Sequence, residues 1–303
     1  MLQQLVNGIS LGAMYALIAL GYTMVYGVLK LINFAHGEVF MVGAYAGLAA
    51  LTVFHLPFAL AVVVAMAASA VLGMVIERGA YRPLRTAPRL AALITAIGVS
   101  LLLQNLGVIL LGAAPRAYPA AISPDPVPWL QSHLNLVLTQ QQLALLAATG
   151  VILLALHLIV SRTRFGRAMR AVSEDREAAQ LMGVNTDRVI AFTFGLGSAI
   201  AGAGGVFYGV YYGAADPLMG LMPGIKAFVA AVLGGIGSIP GAMLGGVLMG
   251  MVETGVSSLT LHLSPSATLS GSTLRDAVAF AVLIVILLVR PTGLLGRTAR
   301  EKV

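Results

Sequence analysis

Apolar runs of about 20 residues, the length that crosses a bilayer core as a helix, recur from one end of this chain to the other. They fall at 5–28, 36–54, 57–77, 90–112, 141–160, 189–213, 223–258 and 274–290, and the seventh is long enough for two crossings around a break. The runs do not alternate polar and apolar residues, which excludes the strands of a membrane barrel. Only 10% of the residues are charged, against roughly 25% in soluble domains. The solvent for this surface is lipid. The expected fold is all-α: a polytopic transmembrane helical bundle with about eight spans plus a broken or re-entrant segment, in a single membrane domain over 1–303. The first run lacks a basic leader and a small-residue cleavage site, so it reads as a retained span.

Basic residues give the sidedness. The loop 78–89 holds Arg78, Arg82, Arg85 and Arg89. A polar island between Ser161 and Arg188 holds Arg162, Arg164, Arg167, Arg170, Arg176 and Arg188, and the tail holds Arg290, Arg297, Arg300 and Lys302. These segments carry 14 of the 18 basic residues, so the orientation rule puts them on the cytoplasmic side. The loop 113–140, with one Arg, five Pro and Trp129, belongs on the other face. In this setting the net charge of +7 reports topology and not nucleic-acid binding.

The sequence also limits the chemistry. There is no cysteine, which removes disulfides and thiolate chemistry. No phosphate-binding G-x-x-x-x-G-K-[ST] loop, H-E-x-x-H pair or G-x-S-x-G elbow occurs, so the chain should neither cradle ATP nor act as an enzyme. The five histidines (36, 55, 133, 157, 262) have no ligand spacing, and no metal is expected.

Glycines recur at small-xxx-small spacing, as in Gly8 and Gly12 or Gly246 and Gly250, which lets helix backbones approach closely in lipid. Two stretches look broken. Gly234-Gly235-Ile236-Gly237-Ser238-Ile239-Pro240-Gly241 reads as a tight turn. Leu31-Ile32-Asn33-Phe34-Ala35-His36-Gly37-Glu38 carries three hydrogen-bonding side chains in six residues, more than a turn requires. Ionisable residues at depth are few: Lys30, Glu38, Lys226 and Glu253. Each is a structural pair, an interfacial anchor or a functional group. Both lysines can snorkel to the nearer surface.

The island needs a purpose. Ser173 can cap a helix of about ten residues with Glu174 and Asp175 in its first turn, and Gly183 can end it in the left-handed conformation. Ala178, Leu181 and Met182 then share one side, opposite Glu174, Asp175 and Glu177. A helix this short is marginal alone. It rests either on lipid headgroups or in a groove of a soluble partner.

Glu177-Ala178-Ala179 followed four residues later by Gly183 resembles the EAA-loop signature of bacterial ABC importer permeases. The segments NGISLGAMYALIALGYTMVYGVLKLINFAHGE (7–38), ERGAYRPLRTAPRLAALITAI (77–97), GVNTDRVIAFT (183–193) and KAFVAAVLGGIGSIPGAMLGG (226–246), with Pro291-Thr292-Gly293, resemble the permease of high-affinity branched-chain amino acid importers. The resemblance covers both ends and most of the middle, and fades at 113–140 and 259–273. It implies a permease subunit in the bacterial inner membrane, paired with a second, related permease chain. Two ATPase subunits that use ATP and Mg would bind beneath, and a periplasmic amino-acid-binding protein would dock above. The cargo would be leucine, isoleucine and valine; urea or a short amide is the alternative within the family, and a stand-alone secondary carrier the alternative outside it. In that picture 161–188 is the cytoplasmic coupling loop. Glu174, Asp175, Glu177, Ala178, Ala179, Leu181, Met182, Gly183 and Asn185 form the helix that takes the push from the ATPases. A zwitterionic cargo needs polar partners, for which Asn33, His36 and Glu38 are the candidates by polarity, with Thr95, Gln104, Asn105 and Glu253 behind them.

Overall fold

The structure is a computed structural model that describes residues 2–85, 87–134, 136–264 and 267–296. Helix α1 (Leu2–Leu29) is followed by an irregular stretch, then α2 (His36–Thr52) and α3 (Phe58–Ile76). The last continues through a π-helical turn (Glu77–Tyr81) and a 3-10 turn (Arg82–Leu84) into α4 (Arg89–Leu111). The next loop holds β1 (Arg116–Ala117) and α5 (Pro128–Leu134), ahead of α6 (Gln140–Arg162). The island folds as α7 (Arg164–Glu174) and α8 (Arg176–Leu181), and leads into α9 (Thr186–Tyr212). After β2 (Ala214–Ala215) come α10 (Leu221–Gly234), α11 (Ile239–Ser257), the hairpin β3 (Thr260–Ser264) and β4 (Ala267–Ser270), and α12 (Gly271–Val289). Six of these helices are long and apolar enough to cross a membrane. The chain is a multi-pass helical membrane protein.

Two long helices make the centre. α1, with 28 residues, and α9, with 27, are apolar on nearly every side and buried through most of their length. Close approach of their neighbours depends on glycine. A Cβ on Gly12 would stand 2.6 Å from the Val247 Cα, and one on Gly246 2.6 Å from the Ala16 nitrogen. The paired glycines therefore seat α1 on α11 within the chain, and van der Waals contact supplies the attraction that lipid cannot. α3, α4, α6 and α12 lie outside this core. They turn residues such as Val71, Ile94, Ile109, Val151, Leu154 and Ile284 outward, where a hydrocarbon solvent accepts them.

The two breaks resolve differently. At Gly235 and Gly237 the backbone takes φ of +106° and +96°, which glycine adopts without strain. Ser238 then caps α11 by accepting from the Gly241 N–H at 3.2 Å. Leu294 and Leu295 donate to the Leu233 and Gly234 carbonyls and so cover the end of α10. This is the tight turn expected from the sequence. The stretch before α2 is a genuine irregularity. Asn33 Oδ1 accepts from the Ala35 N–H at 3.1 Å and the Tyr81 hydroxyl at 3.0 Å, so the side-chain oxygen serves a backbone N–H that no helix can.

α2 has 17 residues and α10 has 14, about 25 and 21 Å. α10 is too short to span a core of about 30 Å, and α2 stands at the lower limit. The His36 ring occupies the space where a Cβ on Gly21 would be, about 12 Å up from the end of α1. The start of α2 thus lies well inside the bundle. Gly220 and Gly224 at the start of α10 pack against Gly37, with a Cβ on Gly224 3.0 Å from the Gly37 Cα. Two short helices therefore begin side by side within the bundle.

The outer loop is pinned. β1 pairs antiparallel with β2, and Tyr118 inserts between α2 and α9 and donates its hydroxyl hydrogen to the Ala44 carbonyl at 3.1 Å. Among the described residues the extended pairings are these two short strands, the hairpin of β3 and β4, and an isolated antiparallel bridge between Pro126 and Thr139.

Candidate functional site

The three basic segments gather at one end of the bundle as far as they are described. Arg85, from the turn after α3, reaches both Glu77 and Asp187, the latter at 2.5 Å. Arg82 also meets Asp187 at 2.5 Å. Arg85 and Glu77 are almost wholly buried, whereas Arg82 and Asp187 stay open to solvent. A cavity of about 240 Å³ joins Leu29 and Lys30 at the end of α1 to Val172, Glu174 and Arg176 of the island. The polar tail residues 297–303 lie outside the described residues.

The island does not fold as one ten-residue helix. Ser173 is not its cap; its hydroxyl bonds back to the Arg170 carbonyl at 2.8 Å, and it belongs with Glu174 to the end of α7. The break falls at Asp175, whose backbone is extended and whose carboxylate accepts from the Ala178 N–H at 2.9 Å. A short acidic side chain competes well for the first free N–H groups of a helix, and here it divides the polar segment in two. α7 buries Gly166, Met169 and Val172 against the bundle. α8 has six residues and buries only Ala179. Gly183 takes φ +84°. The Val184 N–H then returns to the Ala179 carbonyl at 3.0 Å, which closes the helix end in the manner expected of a left-handed glycine. Asn185 serves the next helix, capping α9 at the Arg188 N–H.

This geometry puts Glu174, Asp175, Glu177 and Ala178 on the surface. Leu181 is 88% exposed and Met182 85%. Two large apolar side chains thus project from the basic, wet end of the molecule, with acidic residues beside them. Neither lies among the lipid-facing helices.

The second constellation lies where α2 and α10 begin. Glu38, in the first turn of α2, is 1% exposed. Its Oε1 accepts from Gln104 Nε2 at 2.7 Å and from the Ser100 hydroxyl at 3.4 Å, both on α4. An acid in a first turn is favoured by the helix dipole. His36 lies edge-on to Tyr22, with ring centroids 4.8 Å apart, and its ring nitrogens make no well-formed hydrogen bond. Asn33, Tyr81 and Tyr22 complete the buried polar layer.

The other path candidates do not join it. Asn105 is exposed and donates to the Leu101 carbonyl of its own helix. Thr95 lies about 13 Å along α4 from Gln104. Glu253 is part of a separate buried group, in which it accepts from the Tyr15 hydroxyl at 2.6 Å and from Lys226 Nζ at 2.8 Å. Lys226 also meets Asp276 at 2.8 Å. The expectation that Lys226 snorkels is therefore corrected: the lysine stays within reach of two carboxylates, which offset the cost of its burial. Sequence reasoning missed Ser100, although its i,i+4 spacing to Gln104 on an apolar helix was a legible signal. It also missed Tyr15, Tyr22, Tyr81 and Asp276, whose polar ends carry no pattern of their own.

Among the described residues no cluster of three or more His, Cys, Asp and Glu side chains could hold a metal ion.

Residues 4–287 match a family described as the branched-chain amino acid transport system permease component. The chain is 45% identical to the high-affinity branched-chain amino acid transport system permease protein BraD of Pseudomonas aeruginosa, over 100% of this chain and 98% of that protein. It is 46% identical to the corresponding protein LivH of Escherichia coli K12, over 100% and 97%. Among solved structures, PsaBC from Streptococcus pneumoniae in complex with Fab aligns with 94% of this chain and 91% of that chain, at 14% identity and a TM-score of 0.48.

Proposed function

The chain belongs to the family of branched-chain amino acid transport permeases, and on that premise we propose that it is a membrane-spanning subunit of an ATP-driven importer of leucine, isoleucine and valine. It is a non-catalytic transport component. In this reading it pairs with a second, related permease chain in the bacterial inner membrane. Two ATPase subunits engage it from the cytoplasm, and a periplasmic amino-acid-binding protein delivers cargo from the other side. The ATP and Mg belong to the ATPase subunits.

One observation carries the coupling part of this reading: Leu181 and Met182 stand almost fully exposed on a capped helix at the basic end. Large apolar side chains in water mark a docking surface, and a short helix with an apolar side fits a groove on a partner. Residues 161–188 then act as the coupling loop. α7 is packed on the bundle and α8 is held in the ATPase groove, so closure of the ATPases pulls on α7 and on the start of α9. The bridge from the buried Glu77 through Arg85 to the solvent-facing Asp187 carries that pull into α3. The short helices α2 and α10 abut through glycine, and they are the segments whose relative shift opens the path by turns to each side.

The test is leucine uptake into proteoliposomes. Uptake should require the ATPase subunits, the binding protein and ATP together. Leu181→Asp with Met182→Asp should leave this chain in the membrane but abolish capture of the ATPase subunits. Uptake by the purified chain alone would overturn the reading in favour of a secondary carrier. Competition by urea or a short amide, and not by valine, would overturn the assignment of cargo.

A further inference from the structure

Glu38 lies where two helices start. It is in the first turn of α2, and its Oε2 stands 2.7 Å from the place a Cβ on Gly220 would occupy. Gly220 is the N-cap residue of α10. Neither α2 nor α10 receives a side-chain cap, so the positive ends of both helices are open to an anion, and Glu38 supplies it. That explains why a carboxylate is tolerated here. It does not explain the state of its oxygens. Oε1 is taken by Gln104 and Ser100, but Oε2 is buried with no hydrogen-bond partner. Buried acceptors are rarely left in that state without a purpose.

What covers Glu38 is lightly held. Gln104 is only half-buried, on a helix whose outward face is exposed at Leu101, Leu102 and Leu106. α4 passes the loop ahead of α10 at Gly107, where a Cβ would be 3.8 Å from the Pro217 Cβ. In the chain that follows Pro217, Leu218, Leu221 and Met222 are all exposed. A carboxylate with a free oxygen, under a neutral amide and next to an aliphatic surface, matches one chemical class: a primary ammonium on a branched alkyl chain. A purely anionic ligand would be repelled by the carboxylate, and a neutral amide would gain only what Gln104 already gives; a zwitterion can approach ammonium first, with its own carboxylate turned away.

We propose that Glu38 is the acceptor for the ammonium group of the passing amino acid. Gln104 occupies the carboxylate when the site is empty and yields as α4 moves aside. Leu218, Leu221 and Met222 take the aliphatic side chain. This rests on the reading of the chain as an amino acid permease, and gives that reading a substrate contact inside the bundle.

The experiment uses the complete transporter in proteoliposomes and reads leucine moved per ATP hydrolysed. Wild-type uptake dependent on ATP is the entry condition; if it is missing, the functional reading fails and not the placement of the ammonium site. Glu38→Gln keeps shape and hydrogen-bonding capacity but removes the charge. It should lower leucine moved per ATP by about tenfold or more, as expected when a charged contact to the cargo is lost. The double variant Glu38→Gln with Gln104→Glu puts the carboxylate on the other side of the same hydrogen bond and should restore most of the ratio. A Glu38→Gln transporter with the wild-type ratio overturns the proposal. So does a double variant that assembles and hydrolyses ATP but leaves the ratio low, because the charge would then serve packing alone.

Discussion

Glu253 holds Lys226 at 2.8 Å inside the bundle, joining α11 to α10. The pair gains the Tyr15 hydroxyl on one side and the Asp276 carboxylate on the other. Three helices, α1, α11 and α12, are thereby fastened around α10. Removing one partner of a buried pair is costlier than removing both. Lys226→Met should lose about 3 kcal/mol of stability in detergent, seen as a lower Tm. Lys226→Met together with Glu253→Gln should recover much of that loss.

The bridge at the basic end separates a buried ion pair from an exposed one. Arg85→Met strands the Glu77 carboxylate, which is 1% exposed, and should cost about 3 kcal/mol or more. Arg82→Ala breaks only an exposed contact to Asp187 and should cost no more than about 1 kcal/mol. Thermal unfolding of the two variants in parallel checks the order. A larger effect for Arg82→Ala would remove Arg85 from its place as the link between α3 and α9.

The glycine seam predicts a contrast within one residue type. Gly246→Val places a Cβ against the backbone of Ala16, and no side-chain movement relieves a backbone clash. The variant should fail to accumulate as a folded protein. Gly98→Ala meets nothing within 4 Å and should be neutral or gain up to about 1 kcal/mol from helix propensity. Quantities recovered as a monodisperse peak on size exclusion distinguish the two outcomes.

Gly183 sits at φ +84° with open space around it. Any side chain there is strained by backbone conformation alone, by about 1 kcal/mol. Gly183→Val should loosen the end of α8 and reduce uptake supported by the ATPase subunits, while Gly183→Asn should be milder because asparagine tolerates the left-handed region. Equal behaviour of the two variants would detach the coupling role from this turn.

Tyr118 anchors the outer loop through one hydrogen bond and the groove formed by Gly47 and Gly209. Tyr118→Phe should cost about 1 kcal/mol. Tyr118→Ala should cost at least about 3 kcal/mol, the price of emptying an aromatic pocket, and should free the 113–127 loop to limited proteolysis.

Local features were legible in the residues. The length of the apolar runs specified the solvent and placed α1, α3, α4, α6 and α9 within a few residues. The glycines at 235 and 237 marked a tight turn, and Gly183 marked a helix end, because left-handed backbone is a property of single positions. The density of polar groups at Asn33, His36 and Glu38 marked an irregular, buried junction. The division of the island at Asp175 was harder to see, since Ser173 and Asp175 are both competent caps and only the packing of α7 through Val172 chooses between them.

Contacts between distant helices could not be read in the same way. α1 and α9 are apolar on nearly every side, so the sequence carries no clear stripe to say how each is rotated, and a step of one residue turns a helical side chain by about 100°. Whether Glu38 meets Gln104, whether Lys226 finds Glu253 or escapes to the surface, and whether Arg85 bridges Glu77 and Asp187 all depend on those rotations. They were settled by glycine seams that admit one close approach and by the need of each buried charge for a partner, conditions that exist only once the helices are packed.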